Sequence, residues 1–434
     1  MTQSRNNYLV PFIIVTTLFF TWGFLTVLVD AFIPRLRDVF TLSYFQAGLV
    51  QVAFFGAYFL VSLPGGAIVS KVGYKIGIII GLSVMAIGCL IFLPAASLRV
   101  FPLFLLALFV LAGGMTLLQV SANPYVVLLG PENTAPSRLT LAQAFNSLGT
   151  AIAPLVAASF ILGSEVLSSE EQGNLSSEAL DAYRVTEAAA VRGPFLVLGL
   201  VLAVVALVFV FLHLPAVQKK SESEESGYGF VLKHKGLMLG ALGIFVYVGA
   251  EVTIGSYIVN YFLNFDVPSM LQPGGVVTGW IEALSGRSID ELNPSRIVGT
   301  FVAFYWSGAM IGRFIGAGLS RFISASLLLA TYAAISVVLC IVTALSGGFV
   351  AVWSVLGIGL FNSIMFPTIF SLGINSLPHS RSQGSGVLCA AIVGGAVFPP
   401  LFGLVADAAS FGLAFLLPVA CYAYICFYAL IQKK

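Results

Sequence analysis

The chain has 434 residues, 59% of them hydrophobic and 9% charged, and a mean hydropathy of +1.02. Soluble domains carry roughly a quarter charged residues, so this chain has too little polar surface to face water and most of it must lie in lipid. A net charge of +2 argues against nucleic acid as a partner, and Cys89, Cys340, Cys389, Cys421 and Cys426 all fall in apolar stretches, which implies no disulfide framework.

Apolar runs of about 20 residues bounded by charge or by Pro and Gly predict twelve spans, over 10–32, 46–69, 76–95, 101–129, 139–162, 194–214, 237–262, 298–319, 325–346, 349–376, 383–406 and 411–431. The expected fold is all-α and integral to a membrane. The first run begins at Tyr8 and passes Phe32 without a small-residue cleavage site, so a removable signal peptide is not expected. Between the sixth and seventh spans the polar stretch from Gln218 to Lys235 divides the chain into a bundle over 1–214, a linker over 215–236 and a bundle over 237–434. Its segment from Ser221 to Gly229 reads as poorly ordered. Residues 163–192 and 264–296 read as long loops on the opposite side.

Charge gives the orientation. The tails and even-numbered loops hold 13 Lys/Arg and 4 Asp/Glu, against 7 and 12 in the odd-numbered loops. The side rich in Lys and Arg is the cytoplasmic one, so both termini are expected there. Two carboxylates belong to no loop, Asp30 and Glu251.

An ionisable residue at membrane depth costs roughly 2.5–3.5 kcal/mol on insertion scales and marks a functional site by default. Asp30 shares a helix face with Gly23 and Thr26 in span one. Its carboxylate can take up a proton or, among carbonyl and hydroxyl oxygens, hold a sodium ion; the residues do not separate the two. Span four places Thr116, Gln119 and Asn123 on one face, and span five repeats Thr140, Gln143, Asn146, Ser147 and Thr150 at spacings of three or four. Amides are costly in lipid unless satisfied, so these stripes must face protein or a watered cavity. In span seven Glu251 stacks with Tyr247 and Gly255, where a packing group and a coupling carboxylate are equally open. A second face carries Thr253, Tyr257, Asn260 and Asn264, the mixture of amide and aromatic that suits a sugar. Trp22 and Trp306 lie deeper in their spans than Trp280, in a loop, and Trp353, near a span end.

The halves repeat. Gly66-Ala67-Ile68-Val69-Ser70-Lys71 after span two matches Gly316-Ala317-Gly318-Leu319-Ser320-Arg321 after span eight. An offset of 243 superposes Gln119 on Asn362 and Pro124 on Pro367. Such internal similarity is the mark of a duplicated secondary transporter, and two six-helix bundles facing a central cavity are expected. His213, His234 and His379 sit at span boundaries and form no metal site with the cysteines, and no phosphate loop or Ser/His/Asp spacing is present. No enzyme is expected.

Twelve spans in two halves resemble the major facilitator superfamily, and Gly66 to Lys75 resembles its G-x-x-x-D-R-x-G-R-K loop, with Ser70 for the Asp and Tyr74 for an Arg. Gly66, Lys71, Gly73, Lys75 and Arg321 are the gating candidates this implies. The stretch Gln119-Val120-Ser121-Ala122-Asn123-Pro124-Tyr125-Val126, with Leu129 to Glu132 and Arg138 to Gly149, is similar to the fucose/galactose/glucose:proton symporter family. Phe19 to Phe24 with Asp30, Tyr247 to Glu251, and Phe361 to Thr368 carry the likeness into both halves. The resemblance implies that Asp30 is a proton and sugar carrier. Gln119 stands where the fucose members have Glu, as in the glucose/galactose branch.

The leading expectation is a cation-coupled symporter of glucose or galactose in the cell inner membrane, with Asp30 and Glu251 as coupling candidates. Trp22, Thr26, Gln119, Asn123, Gln143, Asn146, Ser147, Tyr257, Asn260 and Asn362 are the sugar-binding candidates. No cofactor is expected beyond a bound sodium ion, and the partners are the sugar, the cation and the bilayer around a monomer. The alternatives are a drug or metabolite:proton antiporter, against which the amide stripes argue, and a non-transporting sugar sensor, for which the short tail Gln432-Lys433-Lys434 offers little surface.

Overall fold

The computed structural model describes the backbone of residues 3–40, 44–161, 174–217 and 227–432, and side chains within these except at 3–7, 28–40, 44–48, 155–161, 181, 184, 187–191 and 295. Every regular element among the described residues is helical, as the absence of water in a bilayer core demands of backbone that must satisfy its own hydrogen bonds. The first six long helices are α1 (Gln3–Phe40), α2 (Tyr44–Val72), α3 (Tyr74–Leu98), α4 (Phe101–Leu128), α5 (Ala135–Ile161) and α6 (Ser177–Phe211). A short α7 (Tyr228–Val231) ends the linker. Then follow α8 (Lys235–Asn264), α9 (Val276–Ser285), α10 (Pro294–Leu319), α11 (Ala325–Leu345), α12 (Gly348–Asn362) and α13 (Met365–Asn375). The last are α14 (Arg381–Ala390), α15 (Gly394–Ala408), α16 (Phe411–Ala414) and α17 (Leu416–Ile431).

Among the described residues, eleven of the twelve predicted spans are long and apolar enough to cross a membrane. The remaining one, α5, has 27 residues, a rise of about 40 Å and so length enough to cross; Arg138 and the stripe Thr140, Gln143, Asn146 and Ser147 lie in its first half. The tenth span is split into α12 and α13 just before Pro367. Proline has no N–H, so the carbonyl four residues earlier, that of Ser363, has no helical donor. The eleventh is interrupted by a 3-10 turn at Ala391–Val393.

Both long loops contain helix that a search for apolar runs of span length does not register. Ser176 caps α6, its Oγ accepting the Ala179 N–H at 3.2 Å with Glu178 in the first turn, so residues 177–192 extend span six. Residues 264–296 contain α9, and Trp280 lies on that helix rather than in a loop. In the linker, residues 218–226 lie outside the described residues, but Gly227 to Gly229 are ordered against neighbours instead of loose. The Gly227 N–H donates to Ser380 Oγ at 3.1 Å, the Tyr228 hydroxyl donates to the Leu63 carbonyl, and the Phe230 ring stacks on His379 at 4.2 Å.

The chain forms two compact units that do not follow the sequence halves. The first comprises Met1–Pro131, Leu148–His234 and Leu377–Ala390; the second comprises Glu132–Ser147, Lys235–Ser376 and Ala391–Lys434. Each includes a segment from the other half of the sequence: the start of α5 in the second unit, α14 in the first. Side-chain hydroxyls fasten these segments. In the second unit Ser137 Oγ donates to the Ala317 carbonyl on α10 at 2.7 Å. In the first, Ser385 Oγ donates to the Val120 carbonyl on α4 at 2.9 Å, the carbonyl that Pro124 leaves without a helical donor.

Candidate functional site

In the first unit the coupling and sugar-binding candidates lie on α1 and α4. Trp22 is buried, its ring tilted against Phe19 at 5.6 Å. Thr26 Oγ1 donates to the Trp22 carbonyl at 2.9 Å and lies 3.9 Å from the Met115 sulfur, which turns it toward α4. Gln119 Nε2 donates to the Tyr58 hydroxyl at 2.6 Å, so its amide is held between α4 and α2. Asn123 is fully buried one turn further along. The backbone of Asp30 continues α1 one turn past Thr26, while its side chain lies outside the described residues.

The second unit brings together Glu251, Ser147 and Asn362 with groups the sequence reading did not select. Gln143 and Ser147 are buried on α5, Asn146 is half-buried beside them, and Ser147 Oγ donates to the Gln143 carbonyl at 3.1 Å. Glu251 on α8 accepts the Tyr247 hydroxyl at 2.7 Å and pairs with Arg313 on α10 at 3.5 Å. Arg313 Nε donates to the Ser363 carbonyl at 3.1 Å, and Nη1 donates to Ser147 Oγ. A guanidinium presents five N–H groups in a fixed fork and suits such a meeting of three acceptors. Gly312 makes the approach possible, because a Cβ there would overlap the Leu360 carbonyl oxygen and Ser363 Oγ at the end of α12.

Asn362 occupies the centre of a buried cluster. Its Nδ2 donates to the hydroxyls of Tyr305 at 2.9 Å and Tyr422 at 3.2 Å, while its Oδ1 has no hydrogen-bond partner among the described residues. Tyr257 and Asn260 stand apart from this cluster: Tyr257 packs on Phe402 at 4.9 Å, and Asn260 is exposed. Trp306 stands midway along α10 with its side chain 42% exposed.

The residue that sequence reasoning missed is Arg313. The charge count assigned it to the loop after span eight, yet it lies six residues inside the end of α10. Two signals were available. It is the only Lys or Arg inside the six predicted second-half spans, and an intramembrane Glu251 calls for a counter-charge.

The family model described as Major Facilitator Superfamily matches residues 12–391. The chain belongs to the Major Facilitator Superfamily. It is a multi-pass membrane transporter of that superfamily and not an enzyme. It is 48% identical to the glucose/galactose transporter of Brucella abortus biovar 1 (strain 9-941) over 434 residues, covering all of this chain and 96% of the relative. It is 35% identical to the L-fucose-proton symporter of Escherichia coli (strain K12), covering all of this chain and 95% of that one. A crystal structure of the E. coli fucose:proton symporter FucP superposes with a TM-score of 0.86 at 32% identity, over 98% of this chain and 99% of that one.

The superfamily loop between α2 and α3 is built without its acidic residue. Ser70 Oγ donates to the Ala67 carbonyl of its own helix at 2.8 Å. Gly73 joins the helices at φ +84, a conformation other residues rarely adopt. Lys75 Nζ donates to the Val210 carbonyl at 2.9 Å in the last turn of α6, where a cation offsets the helix dipole. Gly66 lies against Ser382 of α14, and Lys71 and Arg321 are exposed beyond the helix ends or in the last turn.

Proposed function

We propose that this transporter is a cation-coupled hexose symporter, carrying glucose or galactose with a proton or a sodium ion by alternating access. The observation that carries the reading is the 48% identity, over the whole chain, with a protein named as a glucose/galactose transporter. Gln119 supports it, because an amide there cannot titrate and leaves Asp30 as the principal coupling carboxylate. Gln119, Gln143, Asn146 and Asn362 would hydrogen-bond sugar hydroxyls, with Trp22 as an apolar platform for the ring. The unpartnered Oδ1 of Asn362 is an acceptor that a ligand hydroxyl would satisfy. Glu251, held by Arg313 and Tyr247, is better suited to a fixed charge than to carrying a cation. Coupling then requires that cation and sugar favour the same conformation, since a ligand shifts an equilibrium only by its differential affinity.

The excess of Lys and Arg in the tails and even-numbered loops supports cytoplasmic termini and residence in the cell inner membrane. A monomer is the working unit in this reading. Reconstitution into proteoliposomes with an imposed proton or sodium gradient tests it. Glucose or galactose should accumulate above its external concentration under one of the two gradients. Equilibration without accumulation under both gradients, or transport of neither hexose, would overturn it.

A further inference from the structure

The repeated prolines do more than mark the duplication. Pro124 and Pro367 each free one backbone carbonyl, Val120 and Ser363, and each carbonyl is taken by a side chain from another helix: Ser385 in the first unit and Arg313 in the second. The two captures differ in chemistry. A serine hydroxyl satisfies one acceptor, whereas Arg313 joins the freed carbonyl to the Ser147 hydroxyl and the Glu251 carboxylate at once.

Ser147 is thereby engaged both as donor and as acceptor. Its hydrogen goes to the Gln143 carbonyl and its oxygen accepts from Arg313. It sits on the same helix face as Gln143 and next to Asn146, so the guanidinium fixes the rotation of the polar stripe on α5. Glu251 in turn fixes the guanidinium, and Tyr247 fixes Glu251. The bond to Ser147 links a helix from the first half of the sequence to three from the second. Any cycle in which α5 separates from α10 must break it and remake it.

We propose that Arg313 is a positioning residue for transport, and that Ser147 serves as its anchor on α5 instead of contacting sugar. The proposal rests on the hexose reading for its substrate. In this scheme the bridge sets the rate of interconversion between transport states, while hexose affinity is set by the amides beside it.

The test compares Ser147→Ala, Ser147→Thr and Arg313→Lys with the wild type. Glucose and galactose binding are measured at equilibrium on the purified transporters, and hexose exchange in proteoliposomes. Loss of the anchor should leave Kd within about twofold while the maximal exchange rate falls at least about fivefold, the split that separates positioning from binding. Ser147→Thr retains the oxygen and should restore the rate. Arg313→Lys keeps the charge but not the fork and should reproduce the loss seen in Ser147→Ala. A Kd that weakens in step with the rate in Ser147→Ala would place Ser147 on the sugar and overturn the proposal, as would wild-type rates in Ser147→Ala. If Arg313→Lys does not fold, Ser147→Ala and Ser147→Thr decide alone. Failure of the wild type to bind either hexose would count against the hexose reading. The bridge is then judged by unfolding temperatures of Ser147→Ala, Arg313→Lys and the variant carrying both, with additive shifts refuting it and non-additive shifts supporting it.

Discussion

The amide of Gln119 donates to the hydroxyl of Tyr58 at 2.6 Å, joining α4 to α2 where both side chains are buried. Breaking a buried hydrogen bond by removing one partner costs about 1–3 kcal/mol. Gln119→Ala should therefore lower the unfolding temperature of the purified transporter and, in the hexose reading, weaken sugar binding by about tenfold, equivalent to 1.4 kcal/mol. Calorimetry and equilibrium binding on one preparation check both effects. Unchanged affinity would remove Gln119 from the sugar site.

Glu251 and Arg313 compensate one another at membrane depth. Removing one partner of a buried pair strands the other charge, at about 3–5 kcal/mol. Glu251→Gln should be strongly destabilising, and adding Arg313→Gln should recover much of the loss. Thermal unfolding of the two single variants and the double variant measures this; a double variant no better than the sum of the singles would show that the pair is not coupled.

Gly312 and Gly318 lie on the same helix in opposite circumstances. A Cβ at Gly312 overlaps the Leu360 carbonyl oxygen, whereas one at Gly318 meets no heavy atom within 4 Å. Overpacking costs about 1–3 kcal/mol, so Gly312→Val should melt several degrees lower and Gly318→Val close to wild type. Equal melting temperatures would contradict the close crossing of α10 and α12.

Tyr228 ties the linker to α2 through the Leu63 carbonyl. Burial pushes its hydroxyl from the usual value of 10.0 up to about 12. The protonated donor is the form favoured in the folded state, so its contribution is complete below about pH 10 and is lost as pH rises through about 12. Hydrogen exchange at the Val231 and Leu232 amides, corrected for intrinsic rates, should show constant protection from pH 6 to pH 9, and Tyr228→Phe should reduce it. Protection that falls across that range would mean another group holds the linker.

Much of this architecture is legible in the sequence because lipid leaves few choices. An apolar run of about 20 residues must be a helix whose backbone satisfies itself, and the matched Gln119 and Asn362 with their prolines report the duplication directly. The start of α6 escaped because its charged residues interrupt the hydropathy signal, and α9 because its ten residues are too few to register as a span. Arg313 escaped for a different reason. A basic residue near the end of a span is ordinarily read as reaching the interface along its aliphatic stem, and only the fold brings Glu251 and the Ser363 carbonyl to it. Nor does the sequence reveal that the start of α5 and α14 each pack with the other half's unit, since single hydroxyls such as Ser137 and Ser385 carry no pattern of their own.

The central claim is that one carboxylate in α1 links the cation gradient to sugar movement. The most direct measurement is hexose transport by Asp30→Asn in proteoliposomes, with and without an imposed gradient. The account predicts that the variant exchanges internal for external hexose but does not concentrate it under any proton or sodium gradient. Accumulation equal to that of the wild type would contradict it.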